Sequence, residues 1–250
     1  MFRTLKNIPA RISFLADFYH FKRQAGRNEP RFSILWRNRK ACLSDKTEST
    51  PFNRHYVLHT GWAARVLART LPKEHVDISS SLQFISVVSA FISTRFYDYR
   101  LVDLHLEGLQ PQAGDLLALP FADASIPSLS CMHVVEHVGL GRYGDPVDSE
   151  GDLKAISELK RVLAIKGNLL FVVPIGQPKV MFNAHRVYSY DQIIEYFSGL
   201  ELKEFALIPD RPENGDLVFN APKDLIDKQN YGCGCFLFQK KESNYDNSRY

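Results

Sequence analysis

The sequence predicts an α/β fold built on a doubly wound, mostly parallel sheet, and three observations carry that expectation. Apolar runs of strand length alternate with stretches of helical periodicity from Tyr56 to Lys240. The run Leu169 to Val173 is apolar without a break, the pattern of a strand buried on both faces. Polar and titratable residues stand just after the predicted strands, at the carboxyl ends where open sheets of this class bind ligands.

The elements follow in order. Residues 1–50 are expected to form a basic arm, with Phe14, Leu15, Phe18 and Phe21 near the spacing of one amphipathic helix over about 9–24. The polar stretch SDKTESTPFN (44–53) reads as a linker or loop. The α/β domain is placed at 51–240 and a polar, frayed tail at 241–250. Within the domain, Tyr56 to Thr70 is helical and stops before Pro72; HVDI (75–78) is a strand, Leu82 to Ile92 a helix and RFYDY (95–99) a strand. Leu116 to Leu119 precedes the loop PFADASIPS (120–128), and Leu129 to Val135 reads as a buried strand. The Gly-rich loop GLGRYGDP (139–146) leads into a helix over 152–164, and Lys166-Gly167-Asn168 turns the chain into the strand Leu169 to Val173. Ser189 with Gln192 makes a capping-box start for the helix DQIIEYF. LKEFALI (202–208) and CFLFQK (235–240) close the series as strands.

Composition narrows the class. The 250 residues are 45% hydrophobic and 24% charged, ordinary for a globular protein. No apolar run of about 18 residues predicts a membrane span. The N-terminal stretch lacks the apolar core and cleavage site of a signal peptide, so a cytoplasmic location is expected. Four scattered cysteines, Cys42, Cys131, Cys233 and Cys235, do not make a disulfide scaffold. Residues 1–40 carry ten Lys or Arg and two Asp or Glu, a balance of +8 that leaves the rest of the chain at −5 for a total of +3. Such an arm suits peripheral contact with an anionic membrane or a polyanionic glycan; it equally suits a solvated helix on its own domain. No nucleic-acid motif occurs and the body is acidic, so no nucleic-acid partner is expected.

The carboxyl-end rule selects Asp77, Ser79, Ser80 and Ser81 after the first strand, Asp98 and Arg100 after the second, and Gly114-Asp115 in the third region. It selects Glu136 and His137 after the fourth strand and Pro174, Ile175 and Gly176 after the fifth. Taken in series, Asp77, Asp98, GDLLALPFADASI (114–126), VVEH (134–137) and ELKRVLAIKGNLLFVVP (158–174) resemble the class I S-adenosylmethionine-dependent methyltransferases over roughly residues 55–240. VVEHVGLGRYGDP (134–146) further resembles a domain-of-unknown-function family within that superfamily.

The resemblance implies a Rossmann-like, seven-stranded sheet, with six parallel strands and one antiparallel strand at the edge, and S-adenosylmethionine as cofactor. It implies that Asp98 accepts from the ribose hydroxyls, that Asp115 meets the adenine amino group beside Leu116, and that Asp77, Ser79 and Ser81 form the loop under the methionine part. A carboxylate offers two oxygens to two adjacent hydroxyls. The bland alternatives are loop acids in solvent or a helix N-cap for Asp98 and Asp115, and a structural acceptor for Asp77. The chain departs from the superfamily at the loop itself: Ser79, Ser81 and Gln83 replace all three glycines of Asp-x-Gly-x-Gly-x-Gly, and serine disfavours positive φ.

Glu136 and His137 fall on the superfamily's catalytic face, where a histidine can act as general base on a hydroxyl acceptor or simply cap the strand. Arg142 and Tyr143 belong to a substrate lid or to a tight glycine turn that also holds Asp145; His185 and Arg186 contact an anionic or sugar substrate or form a loop salt bridge. Cys233-Gly-Cys235 is half a metal motif with no second pair, and His55 and His59 lack an adjacent HExxH glutamate, so no metal is expected. The leading expectation is a methyltransferase for a small-molecule or sugar hydroxyl, in surface glycan biosynthesis. Its rival is a catalytically inactive domain of the same fold, acting as a binding or scaffolding subunit. A nucleotide-sugar ligand is weaker, because no phosphate-cradling loop follows the first strand.

Overall fold

The computed structural model describes residues 8–26 and 32–242; residues 243–250 of the expected polar tail lie outside the described residues. The chain divides into two units, residues 1–52 and 53–250. In the first, α1 (Ile8–Ala25) realises the expected arm helix. Phe14, Phe18 and Tyr19 gather around Trp36 with ring centroids 6.4, 4.9 and 6.2 Å away, and the Arg39 guanidinium lies 4.1 Å over the same indole.

The second unit holds α2 (Arg54–Thr70), β1 (Glu74–Ile78), α3 (Leu82–Val88), β2 (Ser93–Asp98), β3 (Leu109–Ala113), β4 (Ile126–Met132), α4 (Gly151–Val162) and β5 (Leu163–Ile175). It continues through the small hairpin β6 (Lys179–Met181) and β7 (His185–Val187) to α5 (Tyr190–Tyr196), β8 (Leu200–Ile208), β9 (Val218–Phe219), α6 (Lys223–Asp227) and β10 (Gly232–Lys240). The main sheet has the order β3-β2-β1-β4-β5-β10-β8-β9. Its first five strands are parallel to one another. β10 runs antiparallel to both β5 and β8, and β9 antiparallel to β8.

The expected α/β architecture is therefore present, with two corrections. Among the described residues the sheet has eight strands rather than seven, because the chain folds back after β8 and adds the short β9 outside it. The long antiparallel strand sits inside the sheet rather than at its edge, where it buries seven consecutive residues from Gly232 to Phe238. The third strand is LQPQA (109–113), a segment to which the sequence pattern assigns no element, and 116–119 turns. Pro111 and the polar side chains are tolerated there because β3 pairs only with β2. β4 ends at Met132, three residues before the sequence pattern suggests, because His133 takes φ 57° and breaks the extended chain.

β5 shows how the core is divided. Leu169, Phe171 and Val173 join Leu159 and Val162 of α4 and Ile193 of α5 in one apolar cluster. Leu170 and Val172 join Trp62, Val66 and Leu67 of α2 and Phe84 and Ile85 of α3 in the other. Alternation along an extended strand sends successive side chains to opposite faces, and each such burial contributes about 1.5–3 kcal/mol. Polar bonds fix α2 across its face: Trp62 Nε1 donates to Glu204 Oε1 at 2.7 Å and Arg69 Nη2 to Glu204 Oε2 at 2.9 Å. This packing carries the N-terminal turn of α2 to the carboxyl edge of the sheet. No helix among the described residues is long and apolar enough to cross a membrane.

Candidate functional site

A cavity of about 310 Å³ opens at the carboxyl ends of β1, β2, β3 and β4. Ser79 lines it from the first of these ends, Asp98 to Arg100 from the second, Gly114 to Leu117 from the third, and His133, Val134 and His137 from the fourth. Tyr56 of α2 and Tyr143, Asp145 and Pro146 of the Gly-rich loop close it. This is the position the strand-end rule selects for ligands.

The loop after β1 has one left-handed residue. Ser79 takes φ 54°, the left-handed conformation that glycine ordinarily supplies, at a cost of about 1 kcal/mol or more. Its N–H and hydroxyl both donate to the Tyr97 carbonyl, at 2.8 and 3.1 Å, and hold it there. Ser81 has φ −73° as the N-cap of α3, and Gln83 lies inside that helix, so neither position needs glycine. Ser81 does not line the cavity.

Asp77 is fully buried beneath the loop. Oδ1 accepts from the Ser80 N–H at 3.0 Å and Oδ2 from the Ser130 hydroxyl. His75, also fully buried, stands between Ser128 and Ser130 with 2.8 Å contacts at each ring nitrogen. Burial raises the Asp77 pKa to about 6 against the pull of those hydrogen bonds, and lowers that of His75 to about 3. The structure thus gives Asp77 the role of internal acceptor and keeps it off the cavity wall.

Asp98 and Asp115 face the cavity from adjacent loops. Asp98 Oδ1 accepts the Arg100 N–H at 2.9 Å, and Asp115 Oδ1 accepts the Leu117 N–H at 2.8 Å. Each carboxylate has about four acceptor sites, so most of that capacity is free for a ligand. Gly114 between them is obligatory on space: a Cβ there would stand 2.9 Å from the Tyr97 ring. Leu116, 7% exposed, gives the wall its apolar part.

At the end of β4, His137 lines the cavity and Glu136 lies buried behind it. His137 lines the cavity, with Nδ1 2.5 Å from the Ala184 carbonyl. Donation from Nδ1–H leaves Nε2 as the basic nitrogen, the tautomer a general base requires. Glu136 is 1% exposed and places Oε1 2.8 Å from His133 Nδ1. It is a buried partner of His133 rather than a group at the cavity wall, and the same Oε1 stands 3.9 Å from His137 Nε2. His133 itself lines the cavity, and its Nε2 lies 3.4 Å from Cys233 Sγ. Burial opposes charge on the His133 ring, but the Cys233 sulfur and the Glu136 carboxylate outweigh it and hold its pKa up; burial pushes the Cys233 thiol up. His133 was hidden in the sequence by the strand boundary. With β4 ending at Met132, the strand-end rule selects it directly.

The Gly-rich loop is both a tight turn and a wall of the cavity. Asp145 gathers it, accepting from the N–H groups of Gly139, Gly141 and Tyr143 at 2.8, 3.4 and 3.1 Å. Gly139 has φ 78°, and a Cβ there would meet the Asp148 carbonyl at 2.1 Å. Tyr143 lies between the guanidinium groups of Arg100 and Arg142, 5.1 and 5.0 Å from its ring centroid. Arg142 Nη1 donates to the Ala184 carbonyl at 3.2 Å, and Arg142 lies outside the lining. Arg186 is buried, donating to the Val138 carbonyl at 2.6 Å with Nε 3.5 Å from Asp152, so it clamps this loop and is not a substrate contact. His185 packs at a tilt against Tyr231, 5.1 Å between ring centroids, and also stands outside the cavity; burial, then His137 nearby, keeps its pKa down.

Comparison with known proteins bears on the fold. A family described as a Caenorhabditis protein of unknown function, DUF268, matches residues 124–209. No curated protein matches the chain. Among solved structures, the chain is similar to the N-methyltransferase NodS of Bradyrhizobium japonicum, solved with S-adenosylhomocysteine: TM-score 0.52, 14% identity, 90% of this chain and 99% of that one. It is also similar to a 1,6-didemethyltoxoflavin-N1-methyltransferase of Burkholderia thailandensis, solved with 1,6-didemethyltoxoflavin and S-adenosylhomocysteine: TM-score 0.54, 10% identity, 95% and 90%. A third is SpnF, a [4+2]-cyclase, with TM-score 0.52, 14% identity, 73% and 80%. The Rossmann-like methyltransferase fold is shared, and the presence of a cyclase among these structures means that the fold does not fix the reaction.

Proposed function

We propose that residues 53–242 form a methyltransferase domain that uses S-adenosylmethionine and acts on a hydroxyl of a small molecule or sugar. The supporting observation is an open cavity at the carboxyl edge with Asp98 and Asp115 on its wall and acceptor capacity to spare. The residues fit the cofactor: Asp98 suits a ribose diol, Asp115 with Leu116 suits an adenine, and the Ser79 backbone holds the loop geometry that the missing glycine would give. NodS and the toxoflavin enzyme, of the same fold, are both solved with S-adenosylhomocysteine, which supports this choice.

Bound there, S-adenosylmethionine supplies a methyl group on a positively charged sulfur. The chain's own part is positioning and proton removal. His137, held in one tautomer by the Ala184 carbonyl, takes the proton from an acceptor hydroxyl at Nε2. Tyr143 and Arg100, which line the cavity, suit a sugar or anionic acceptor. The basic arm favours a surface glycan precursor or an anionic membrane nearby as the place of work.

Calorimetric titration with S-adenosylmethionine and S-adenosylhomocysteine tests the reading. Binding near micromolar strength is expected, weakened about 10- to 100-fold in Asp98→Ala, since a hydrogen bond to a charged group is worth about 1.5–3 kcal/mol. Absence of heat at millimolar ligand would favour the scaffolding role.

A further inference from the structure

We infer that His55, His133 and Cys233 form a three-ligand site for a zinc-type transition-metal ion at the wall of the cavity. The three come from different elements: His55 from the first turn of α2, His133 from the end of β4, and Cys233 from the start of β10. Their ligand atoms all lie within 4.8 Å of one another.

The geometry suits coordination. With Zn–N of about 2.0 Å and Zn–S of about 2.3 Å, a tetrahedral site has an N···S edge of about 3.5 Å. His133 Nε2 and Cys233 Sγ stand 3.4 Å apart. The other nitrogen of His133 meets the buried Glu136 carboxylate at 2.8 Å, the carboxylate–histidine arrangement that orients an imidazole toward a metal. The His55 ring lies parallel to His133 at 5.8 Å between centroids, and closes the triad by a shift of about 1.5 Å.

Two buried polar atoms beside the cluster lack partners. Glu136 Oε2 and His59 Nε2 are buried at this cluster and have none among the described residues. His59 Nδ1 meets the His55 carbonyl at 2.6 Å, which pins the turn carrying His55. An apolar core gains nothing from collecting three histidines, a carboxylate and a thiol; each must be desolvated.

Two histidines and a thiolate select a borderline-to-soft ion, and zinc above magnesium or calcium. On binding, the Cys233 thiol proton leaves to solvent and the thiolate bonds the ion. His133 bonds through Nε2 and keeps its proton on Nδ1; His55 bonds as the neutral imidazole. Three protein ligands leave a fourth position for water or for an oxygen or nitrogen of a bound molecule. Because His133 and Tyr56 line the cavity, that position belongs to its wall. The site stands independently of the methyltransferase reading.

Metal titration of the chelator-treated full-length protein, without S-adenosylmethionine, tests it. One Zn²⁺ is expected per chain at ~10 μM protein, and Co²⁺ in its place should give a sulfur-to-cobalt charge-transfer band. Cys233→Ser should remove the band, and His55→Ala, at a half-buried helix start, should weaken zinc binding at least 10-fold with the circular dichroism unchanged. No saturable zinc uptake, a cobalt spectrum without the thiolate band, or a band that survives Cys233→Ser would overturn the assignment.

Discussion

Ser79 shows what a single side chain can and cannot tell. Three glycines are replaced in the loop after β1, yet only Ser79 occupies a left-handed conformation; Ser81 begins a helix and Gln83 continues it. Residue identity alone overstated the departure, because it carries no dihedral angle. Beneath the loop, His75 and Asp77 make opposite contributions to acid stability. His75 is neutral in the folded chain down to about pH 3, whereas its unfolded pKa is about 6.5, so stability is lost as pH falls below 6.5. Asp77, raised to about 6, binds its proton more readily when folded, so its contribution runs the other way between about pH 6 and 4. His75→Gln separates the two. The stability difference between wild type and His75→Gln should shrink by about 2 kcal/mol from pH 7.5 to pH 5, read by urea denaturation. A difference that stays flat would mean His75 takes up a proton in the folded chain.

At the scale of elements, α2 is set by its face against the sheet, and Glu204 on β8 is the polar end of that contact. Trp62 is 1% exposed, and its indole N–H has Glu204 as acceptor. Glu204→Ala should therefore cost about 2 kcal/mol, the usual penalty for a buried donor left unpaired. Glu204→Gln keeps an acceptor and gives up only the half-exposed Arg69 pairing, so it should cost under about 1 kcal/mol. Both are measured by equilibrium denaturation. Elements with strong patterns were legible in the sequence: α2, α4, the capping box of α5, and the unbroken apolar centre of β5. β3 was not, because an edge strand with a proline carries no apolar alternation. The end of β4 was misplaced because Val134 and Val135 continue its apolar run beyond the dihedral break at His133. With the break in place, the residue just after the strand is His133 rather than Glu136.

At the scale of the whole molecule, every buried apolar residue among those described lies between Trp62 and Phe238. A chain beginning at Asn53 should keep its fold, with a melting temperature within about 4 °C of the full-length protein in a thermal scan. Unfolding of that fragment would assign the arm a stabilising role. The cavity was legible as a place, from strand ends, and Asp98, Asp115 and His137 on its wall were legible as residues. The grouping of His133 with Cys233 was not, because they stand one hundred positions apart and only the sheet order joins them. That order also sets a timetable for synthesis. β10 fills the gap between β5 and β8, two strand spacings or about 9.6 Å across, and among the described strands it is made last. Until Gly232–Lys240 clears the ribosome, β5 and β8 each present an unpaired edge, and a nascent chain in that interval is exposed to sticking to its neighbours. Gly232–Lys240 is thus the keystone of the sheet, and a chain cut short before it leaves β5 and β8 with no strand between them.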